Sequence, residues 1–212
     1  MTPGLARTLW QESAPLARRA LTHPFVVRLA QGTLPRERFA GYIAQDAYFL
    51  ESFARAYAAA AARSPDRDGL LSFTRLLNGV VDELELHGSY AERWGIDLDR
   101  VRPLPSTTAY TDFLAEAARS GVARTCAAMT PCMRLYADLG QELARTARRE
   151  DHPYGEWIAT YSSDGFEALT AQLERLLDRY ASPGADVRAA YRRAMELELA
   201  FFDAHSPVEV PA

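Results

Sequence analysis

Residues 122–148 read VARTCAAMTPCMRLYADLGQELARTAR, a helical pattern with a proline in its interior. Pro131 would remove one backbone hydrogen bond from the helix and clash with the preceding turn, at a cost of about 3 kcal/mol. Cys132 follows directly, and Tyr136 lies four residues further along. Residues four apart lie on one helix face. We therefore expect the thiol and the phenol to face one space, which is either a core or a site.

Outside this stretch, apolar residues also recur at spacings of three and four, and alternating runs typical of β-strands are missing. The sequence therefore predicts an all-α fold. Proline and glycine breaks divide it into helices over residues 2–21, 25–31, 35–63, 68–94, 107–119, 122–148, 154–161, 164–180 and 185–205. Asp164 and Glu167 indicate a capping box. Short connections predict one compact multi-helix bundle, a single domain over residues 1–212 with a short flexible tail from residue 206.

The composition narrows the class of protein. Hydrophobic residues make up 48% and charged residues 25%, and the formal net charge is −4. These values are typical of a soluble globular protein and argue against a nucleic-acid partner. No stretch of about 18 apolar residues occurs, and the first residues lack an apolar signal core. Cys126 and Cys132 face different sides of one helix, so we expect free thiols. Free thiols, together with the missing apolar stretch and signal core, predict that the protein has no membrane segment and a cytoplasmic location.

Two further helices each carry one acid on an aromatic face. The faces consist of Tyr42, Asp46, Phe49, Phe53 and Tyr57, and of Met195, Glu198, Phe201, Phe202 and His205. A buried carboxylate is costly unless it is paired or hydrogen-bonded. Asp46 is either a structural acid with a tyrosine or backbone donor or a site residue, and Glu198 is either a boundary residue or a site residue. If both converge with Cys132, they form an aromatic-walled cavity that contains a nucleophile.

Three tyrosines, Tyr110, Tyr136 and Tyr161, stand where helix faces should turn inward. Around a flat ligand they would offer π-faces and hydroxyl donors. Each of them alone is more often a core residue whose hydroxyl is hydrogen-bonded, so both interpretations stay open.

None of the four histidines follows an acid at a distance of three residues, so the Glu-x-x-His pattern of di-iron bundles is missing. Glu83 and His87 are four residues apart, and a hydrogen bond explains this pair more simply than a metal ion. His23 precedes Pro24 and is interpreted as a helix cap rather than as an axial haem ligand. The sequence therefore predicts no metal site.

Eight short segments carry a family resemblance when they are taken in order. They are HPF at 23–25, GTL at 32–34, YIAQD at 42–46, FARAY at 53–57, AYT at 109–111, PC at 131–132, WIATY at 157–161 and FFD at 201–203. Together with Tyr136 and Glu198, they resemble the TenA/thiaminase II family of aminopyrimidine aminohydrolases, from His23 to Asp203. The resemblance implies an all-α, haem-oxygenase-like bundle that is a homotetramer and uses no haem, metal or organic cofactor.

The resemblance also implies an activity. Members of the family hydrolyse the bond between a 4-amino-2-methylpyrimidine and its 5-methylene substituent, which releases 4-amino-5-hydroxymethyl-2-methylpyrimidine. The small-molecule substrate is 4-amino-5-aminomethyl-2-methylpyrimidine in thiamin salvage, or thiamin itself. Carried over by position, Cys132 would be the nucleophile, Glu198 the acid/base, and Asp46 the residue that holds the amino group and a ring nitrogen. The site would be lined by Tyr110, Tyr136, Tyr161, Phe49 and Phe201.

The sequence departs from the family pattern in ways that concern the choice of substrate more than the reaction. Phe49 stands where many relatives have tyrosine, so a hydroxyl is missing unless Tyr48 or another group supplies it. Arg134 replaces an aromatic residue, and Ser162 and Ser163 stand where glycines are common. Two alternatives use the same scaffold: a non-catalytic pyrimidine-binding, thiamin-binding or regulatory protein, and an oxidative or metal-dependent enzyme.

Overall fold

The computed structural model describes residues 3–146 and 151–206, and within these ranges the regular elements are all helical. The α-helices are α1 (Leu5–Glu12), α2 (Ala14–Leu21), α3 (Pro24–Ala30), α4 (Arg36–Ala62), α5 (Arg67–Trp94), α6 (Pro105–Ser120), α7 (Val122–Thr146), α8 (Gly155–Tyr161), α9 (Asp164–Tyr180) and α10 (Ala185–His205). One turn of 3-10 helix, Leu98–Arg100, lies between α5 and α6. The all-α prediction is confirmed.

The structure corrects two predicted helix boundaries at prolines. The predicted helix over residues 2–21 is divided at Ser13 into α1 and α2, because Pro15 has no N–H with which to continue the hydrogen bonds of α1. α6 begins at Pro105, earlier than predicted, because proline fits the first turn of a helix. The predicted end of the helix over residues 122–148 and the predicted tail lie outside the described residues.

Side chains cap three of the described helices, α3, α5 and α9. Ser163, and not Asp164, caps α9, because Ser163 Oγ accepts a hydrogen bond from the backbone N–H of Phe166 at 3.1 Å. The capping-box prediction was therefore wrong by one residue. His23 caps α3 as predicted, since its Nδ1 accepts a hydrogen bond from the backbone N–H of Phe25 at 3.3 Å.

Helix α7 lies at the centre of the bundle. It packs against α4, α6, α8, α9 and α10, and α4 packs in turn against α5 and α6. Buried apolar residues from α1 to α10 form one hydrophobic cluster around it. Residues of α7 therefore contact side chains from several helices. The single-domain organisation stays a prediction. No helix among the described residues has the length and apolar character needed to cross a membrane.

Pro131 lies inside the continuous helix α7, as predicted. Because Pro131 has no N–H, the carbonyl of Ala127 receives no helical hydrogen bond from it. Thr130 Oγ1 donates to the neighbouring carbonyl oxygen of Cys126 at 2.7 Å, and residues 126–131 are all buried. Packing from the surrounding helices thus offsets the cost of the proline and keeps Cys132 on a defined face of α7.

Gly140 marks a close approach between α7 and the end of α8. A Cβ at this position would overlap the backbone of Tyr161 and Ser162. The missing side chain therefore allows α8 to place Tyr161 directly against α7.

We expect Gly140→Ala to lower the free energy of unfolding by about 1–3 kcal/mol, because the added carbon meets backbone atoms that cannot move aside easily. Gly88→Ala on α5 is the matched control. A Cβ there meets no atom within 4 Å, and alanine favours a helix by about 1 kcal/mol over glycine. Urea denaturation measures both variants, and an equal response would contradict the close approach.

Candidate active site

Cys132, Glu198 and Tyr110 come together from three helices. Cys132 on α7 lies beside the carboxyl group of Glu198 on α10, close enough for each group to shift the pKa of the other. Tyr110 on α6 donates from its hydroxyl to Oε1 of the same carboxylate at 2.7 Å. Glu198 is 2% exposed, so it is not a boundary residue. Cys132 as a residue is partly exposed.

Burial controls the protonation of Glu198 and Cys132. It raises the pKa of Glu198 to about 7, while the hydrogen bond from Tyr110 and the neighbouring thiol of Cys132 lower the pKa and the charge of Asp46 raises it. Burial also raises the pKa of Cys132 well above its usual value, and the charges of Glu198, Asp46 and Glu83 act in the same direction. The resting pair is therefore a thiol beside a carboxyl group that titrates near neutral pH. Such a pair can move the thiol proton to Glu198 when sulfur attacks.

Asp46 on α4 is paired with His87 on α5. His87 Nε2 lies 2.8 Å from Asp46 Oδ2, and His87 Nδ1 lies 2.9 Å from the carbonyl oxygen of Glu83. Since a carbonyl oxygen only accepts, Nδ1 carries a hydrogen. A second proton lies between Nε2 and Oδ2, and the pair has no net charge wherever this proton resides. This pairing leaves Asp46 Oδ1 for a ligand.

The pairing keeps His87 protonated although both side chains are buried. Burial alone lowers the pKa of His87, but the hydrogen bond and charge of Asp46, together with the charge of Glu83, raise it to about 9. Asp46 is 4% exposed and His87 2%. The donor that satisfies Asp46 is thus a histidine, whereas the sequence had suggested a tyrosine or a backbone group.

Aromatic rings surround these polar groups. The Phe49 ring centroid lies 4.7 Å from that of Tyr110 and 6.2 Å from that of Phe201. Tyr42 contacts both Phe201 and Tyr136. Its ring centroid lies 5.7 Å from that of Phe201, and its hydroxyl donates a hydrogen bond to the hydroxyl of Tyr136 at 3.1 Å. Two walls of flat rings therefore meet beside the acids.

Tyr161 hydrogen-bonds a third acid of the site, Glu83. Its ring lies 4.9 Å from that of Tyr136, and its hydroxyl donates to Oε1 of Glu83, a partly exposed residue of α5. Burial raises the pKa of Glu83 to about 7, the charge of His87 and the hydrogen bond from Tyr161 lower it, and the charge of Asp46 raises it. Glu83 can therefore change its protonation state near neutral pH.

The structure brings the predicted site residues into one cluster. They are Asp46, Cys132, Glu198, Tyr110, Tyr136, Tyr161, Phe49 and Phe201. Sequence reasoning missed Glu83 and His87 as members of it. Their four-residue spacing was the available signal, and the hydrogen bond it predicted does form, although through the backbone carbonyl of Glu83. Within the described ranges, no three His, Cys, Asp or Glu side chains are arranged to hold a metal ion.

Two residues that bear on the sequence departures, Tyr48 and Arg134, lie away from the site. Tyr48 does not supply the hydroxyl that is missing at Phe49, because Tyr48 is 37% exposed on the protein surface. Arg134 forms ion pairs with Glu167 and Glu174 of α9, at 2.9 and 2.8 Å. Arg134 therefore ties α7 to α9.

Comparison with known proteins gives consistent matches over most of the chain. The model of the TENA/THI-4/PQQC family matches residues 10–206. The Arabidopsis thaliana bifunctional TH2 protein, mitochondrial, is 38% identical over 89% of this chain and 35% of its own length. The aminopyrimidine aminohydrolase of Halalkalibacterium halodurans is 33% identical over 83% of this chain and 81% of its own length. The chain thus spans about a third of the plant protein and most of the bacterial one.

Solved structures share the fold. A TenA family transcription regulator from Silicibacter sp. TM1040 superimposes with a TM-score of 0.87 and is 32% identical, covering 95% of this chain and 96% of its own. A domain of unknown function with a heme oxygenase-like fold from Shewanella denitrificans gives a TM-score of 0.76 at 15% identity, over 94% of this chain and 90% of its own. The haem-oxygenase-like fold is therefore confirmed.

Proposed function

Because the chain belongs to the TENA/THI-4/PQQC family, we propose that it hydrolyses thiamin-related aminopyrimidines in thiamin salvage. The observation that carries this proposal is the thiol of Cys132 beside the buried carboxyl group of Glu198, which Tyr110 hydrogen-bonds, between aromatic rings. A bacterial relative named aminopyrimidine aminohydrolase matches most of the chain. The substrate is 4-amino-5-aminomethyl-2-methylpyrimidine or thiamin, and the product is 4-amino-5-hydroxymethyl-2-methylpyrimidine.

The first step adds sulfur to the pyrimidine ring. Cys132 attacks the ring carbon next to the one that bears the methylene group, and sulfur supplies the electron pair of the new C–S bond. The thiol proton passes to Glu198, which donates a proton to a ring nitrogen as that nitrogen gains electron density. The free Oδ1 of Asp46 accepts a hydrogen bond from the 4-amino group. The aromatic walls orient the flat ring.

The second half exchanges the substituent for water. In an aminomethyl substrate bound as its ammonium form, the C–N bond breaks, the amine leaves with the electron pair as ammonia, and the methylene becomes doubly bonded to the ring. Water adds to the methylene, and the proton it releases converts ammonia to ammonium. The C–S bond then breaks, the ring nitrogen returns its proton through Glu198, and Cys132 regains its thiol.

The direct test offers 4-amino-5-aminomethyl-2-methylpyrimidine and thiamin to the wild-type protein in parallel. Liquid chromatography measures the release of the hydroxymethyl product from each. Turnover of either compound supports the proposal, and the ratio of the two values of kcat/KM separates salvage from thiamin degradation. Absence of product from both would contradict it.

We expect kcat/KM to rise with pH through about pH 7, because Glu198 must be ionised to accept the thiol proton and its pKa is raised to about 7. Tyr110→Phe removes a hydrogen bond that lowers this pKa, so this rise should move to higher pH. Tyr191→Phe is the matched control, since it removes a buried hydroxyl of α10 that has no hydrogen-bond partner among the described residues. Equal shifts in both variants would contradict the assignment to Glu198.

A second candidate function is a non-catalytic pyrimidine or thiamin sensor. It is favoured by the solved structure that is named a transcription regulator and is 32% identical to this chain. The two candidates differ in one measurement. A sensor would be thermally stabilised by thiamin or the aminopyrimidine without forming product, whereas the hydrolase forms product.

We further propose a homotetramer located in the cytoplasm, as the family resemblance implies. Large apolar side chains on α5, those of Leu70, Leu71 and Val81, are exposed on the surface of the chain. Exposed apolar side chains of this size are suited to contacts between subunits. Light scattering coupled to size-exclusion chromatography measures the assembly, and a monomeric mass would contradict it.

A further inference from the structure

The indole of Trp157 on α8 is hydrogen-bonded to a hydroxyl that reaches the site. Trp157 Nε1 lies 3.3 Å from the hydroxyl oxygen of Tyr42 on α4, and that oxygen lies 3.1 Å from the hydroxyl of Tyr136 on α7. Trp157 is 2% exposed, and Tyr42 is completely buried. Three helices therefore supply a line of three hydrogen-bonding groups that ends at Tyr136, one turn beyond Cys132.

The direction of these hydrogen bonds follows from which groups can donate and which can accept. An indole N–H only donates, so the Tyr42 oxygen is the acceptor for Trp157. Tyr42 has one hydroxyl hydrogen, and within residues 3–146 and 151–206 the hydrogen bond through which it can donate leads to the oxygen of Tyr136. A buried hydroxyl whose hydrogen stays unpaired is costly, so Tyr42 donates to Tyr136. The hydrogen of Tyr136 is then free to donate to another group.

Tyr136 differs in this respect from the other two tyrosines that line the site. Tyr110 donates to Glu198 and Tyr161 donates to Glu83, so the protein itself uses both of these hydroxyl hydrogens. In the part of the chain that the structure describes, the Tyr136 hydroxyl accepts a hydrogen bond but donates none. A ligand between the aromatic walls can therefore receive a hydrogen bond from Tyr136 without breaking one inside the protein.

We propose that Trp157 and Tyr42 are positioning residues, which orient the Tyr136 hydroxyl so that it donates a hydrogen bond to the pyrimidine ring of the substrate. The acceptor is the ring nitrogen beside the 4-amino group. This nitrogen has a lone pair but no hydrogen, so the free carboxylate oxygen of Asp46, which only accepts, cannot bind it. The other ring nitrogen exchanges its proton with Glu198. This inference rests on the proposed function and explains how the site recognises the ring.

Removing each positioning group has its own physical consequence. Without the indole N–H, the Tyr42 oxygen is free to accept, and Tyr136 can turn its hydrogen toward Tyr42 instead of the ligand. Without the Tyr42 hydroxyl, the Tyr136 oxygen loses the donor that fixes its orientation. In both cases the ring nitrogen beside the amino group loses its hydrogen bond, while the rest of the ligand keeps its contacts.

The test compares two ligands that differ in one ring position. They are 4-amino-5-hydroxymethyl-2-methylpyrimidine and 4-amino-5-hydroxymethyl-2-methylpyridine, which has C–H in place of the nitrogen beside the amino group. Isothermal titration calorimetry measures both with each protein. Trp157→Phe, Tyr42→Phe and Tyr136→Phe should each weaken pyrimidine binding by about 3- to 10-fold and change pyridine binding by less than about twofold. Because the remaining nitrogen of the pyridine is more basic, each ligand is compared only with itself across the variants.

Tyr154→Phe is the matched control. Its buried hydroxyl donates to the carbonyl oxygen of Leu34, directly before α8, and not to any of the three groups that lead to the site. It should lower the unfolding temperature, as the other variants do, and leave both affinities unchanged. Circular dichroism checks the fold, and Tyr42→Phe keeps its ring in the core if Trp157→Phe is too unstable to measure.

The outcomes separate this inference from the function on which it rests. If Tyr42→Phe and Trp157→Phe weaken both ligands equally, or neither, the positioning role is overturned while the proposed function stands. A selective loss in Tyr136→Phe alone would likewise overturn the role of the two residues behind it. If the wild-type protein neither binds the pyrimidine nor turns over the aminomethylpyrimidine, the proposed function fails and the inference fails with it.

Discussion

Replacing Cys132 with serine should lower the rate of hydroxymethylpyrimidine release by about a thousandfold or more. A serine hydroxyl stays protonated at neutral pH and is a much weaker nucleophile than a thiolate. Because Cys132 is partly exposed and serine is slightly smaller, we expect the fold to survive. A steady-state assay with the aminomethylpyrimidine measures the loss, and circular dichroism checks the fold.

Cys126→Ala is the matched control for this prediction. Cys126 is the other free thiol and lies buried on the same helix, six residues before Cys132. Its replacement should leave turnover near the wild-type rate and cost about 1 kcal/mol of stability through lost packing. Undiminished turnover in Cys132→Ser would show that another group is the nucleophile.

Replacing His87 with alanine should lower the free energy of unfolding by about 3–5 kcal/mol. The variant leaves Asp46 as a buried carboxylate without its partner and removes the hydrogen bonds at 2.8 and 2.9 Å that join α5 to α4 and to its own preceding turn. Glutamine in place of His87 keeps a donor for Asp46 and should cost less. Urea denaturation of the two variants measures the difference, and a loss below about 1 kcal/mol in the alanine variant would contradict a buried ion pair.

The stability that this pair contributes depends on pH in a defined direction. The pKa of His87 is raised to about 9 in the folded protein, above a value of about 6.5 in an unfolded chain. The stabilisation is therefore complete below about pH 6.5 and is lost as the pH rises through about 9. Over this range the free energy of unfolding of the wild type should fall by about 3 kcal/mol, and that of His87→Gln should fall less. Identical slopes would exclude the protonated pair.

Apolar periodicity in the sequence was sufficient to predict the helical fold and the inward faces of its helices. It placed Asp46, Cys132 and Glu198 on aromatic faces, where the structure has them. The same periodicity could not find the break at Ser13, which follows from the missing N–H of Pro15, or the cap at Ser163, which depends on one local hydrogen bond. The departure at Phe49 was visible in the sequence, but the surface position of Tyr48 was not, since exposure depends on how the helices pack.

The partners of the site residues were decided by the tertiary structure. Asp46 and His87 are 41 residues apart, and Glu83 and Tyr161 are 78 residues apart. Spacing along a helix determines which residues share a face, but the residue that lies opposite depends on how two helices cross and on the register in which their side chains interlock. The sequence by itself therefore determined an inward-facing thiol with two acids. The packing of α5 against α4 and α8 decided that His87 neutralises one acid and that Glu83 adds a third beside Tyr161.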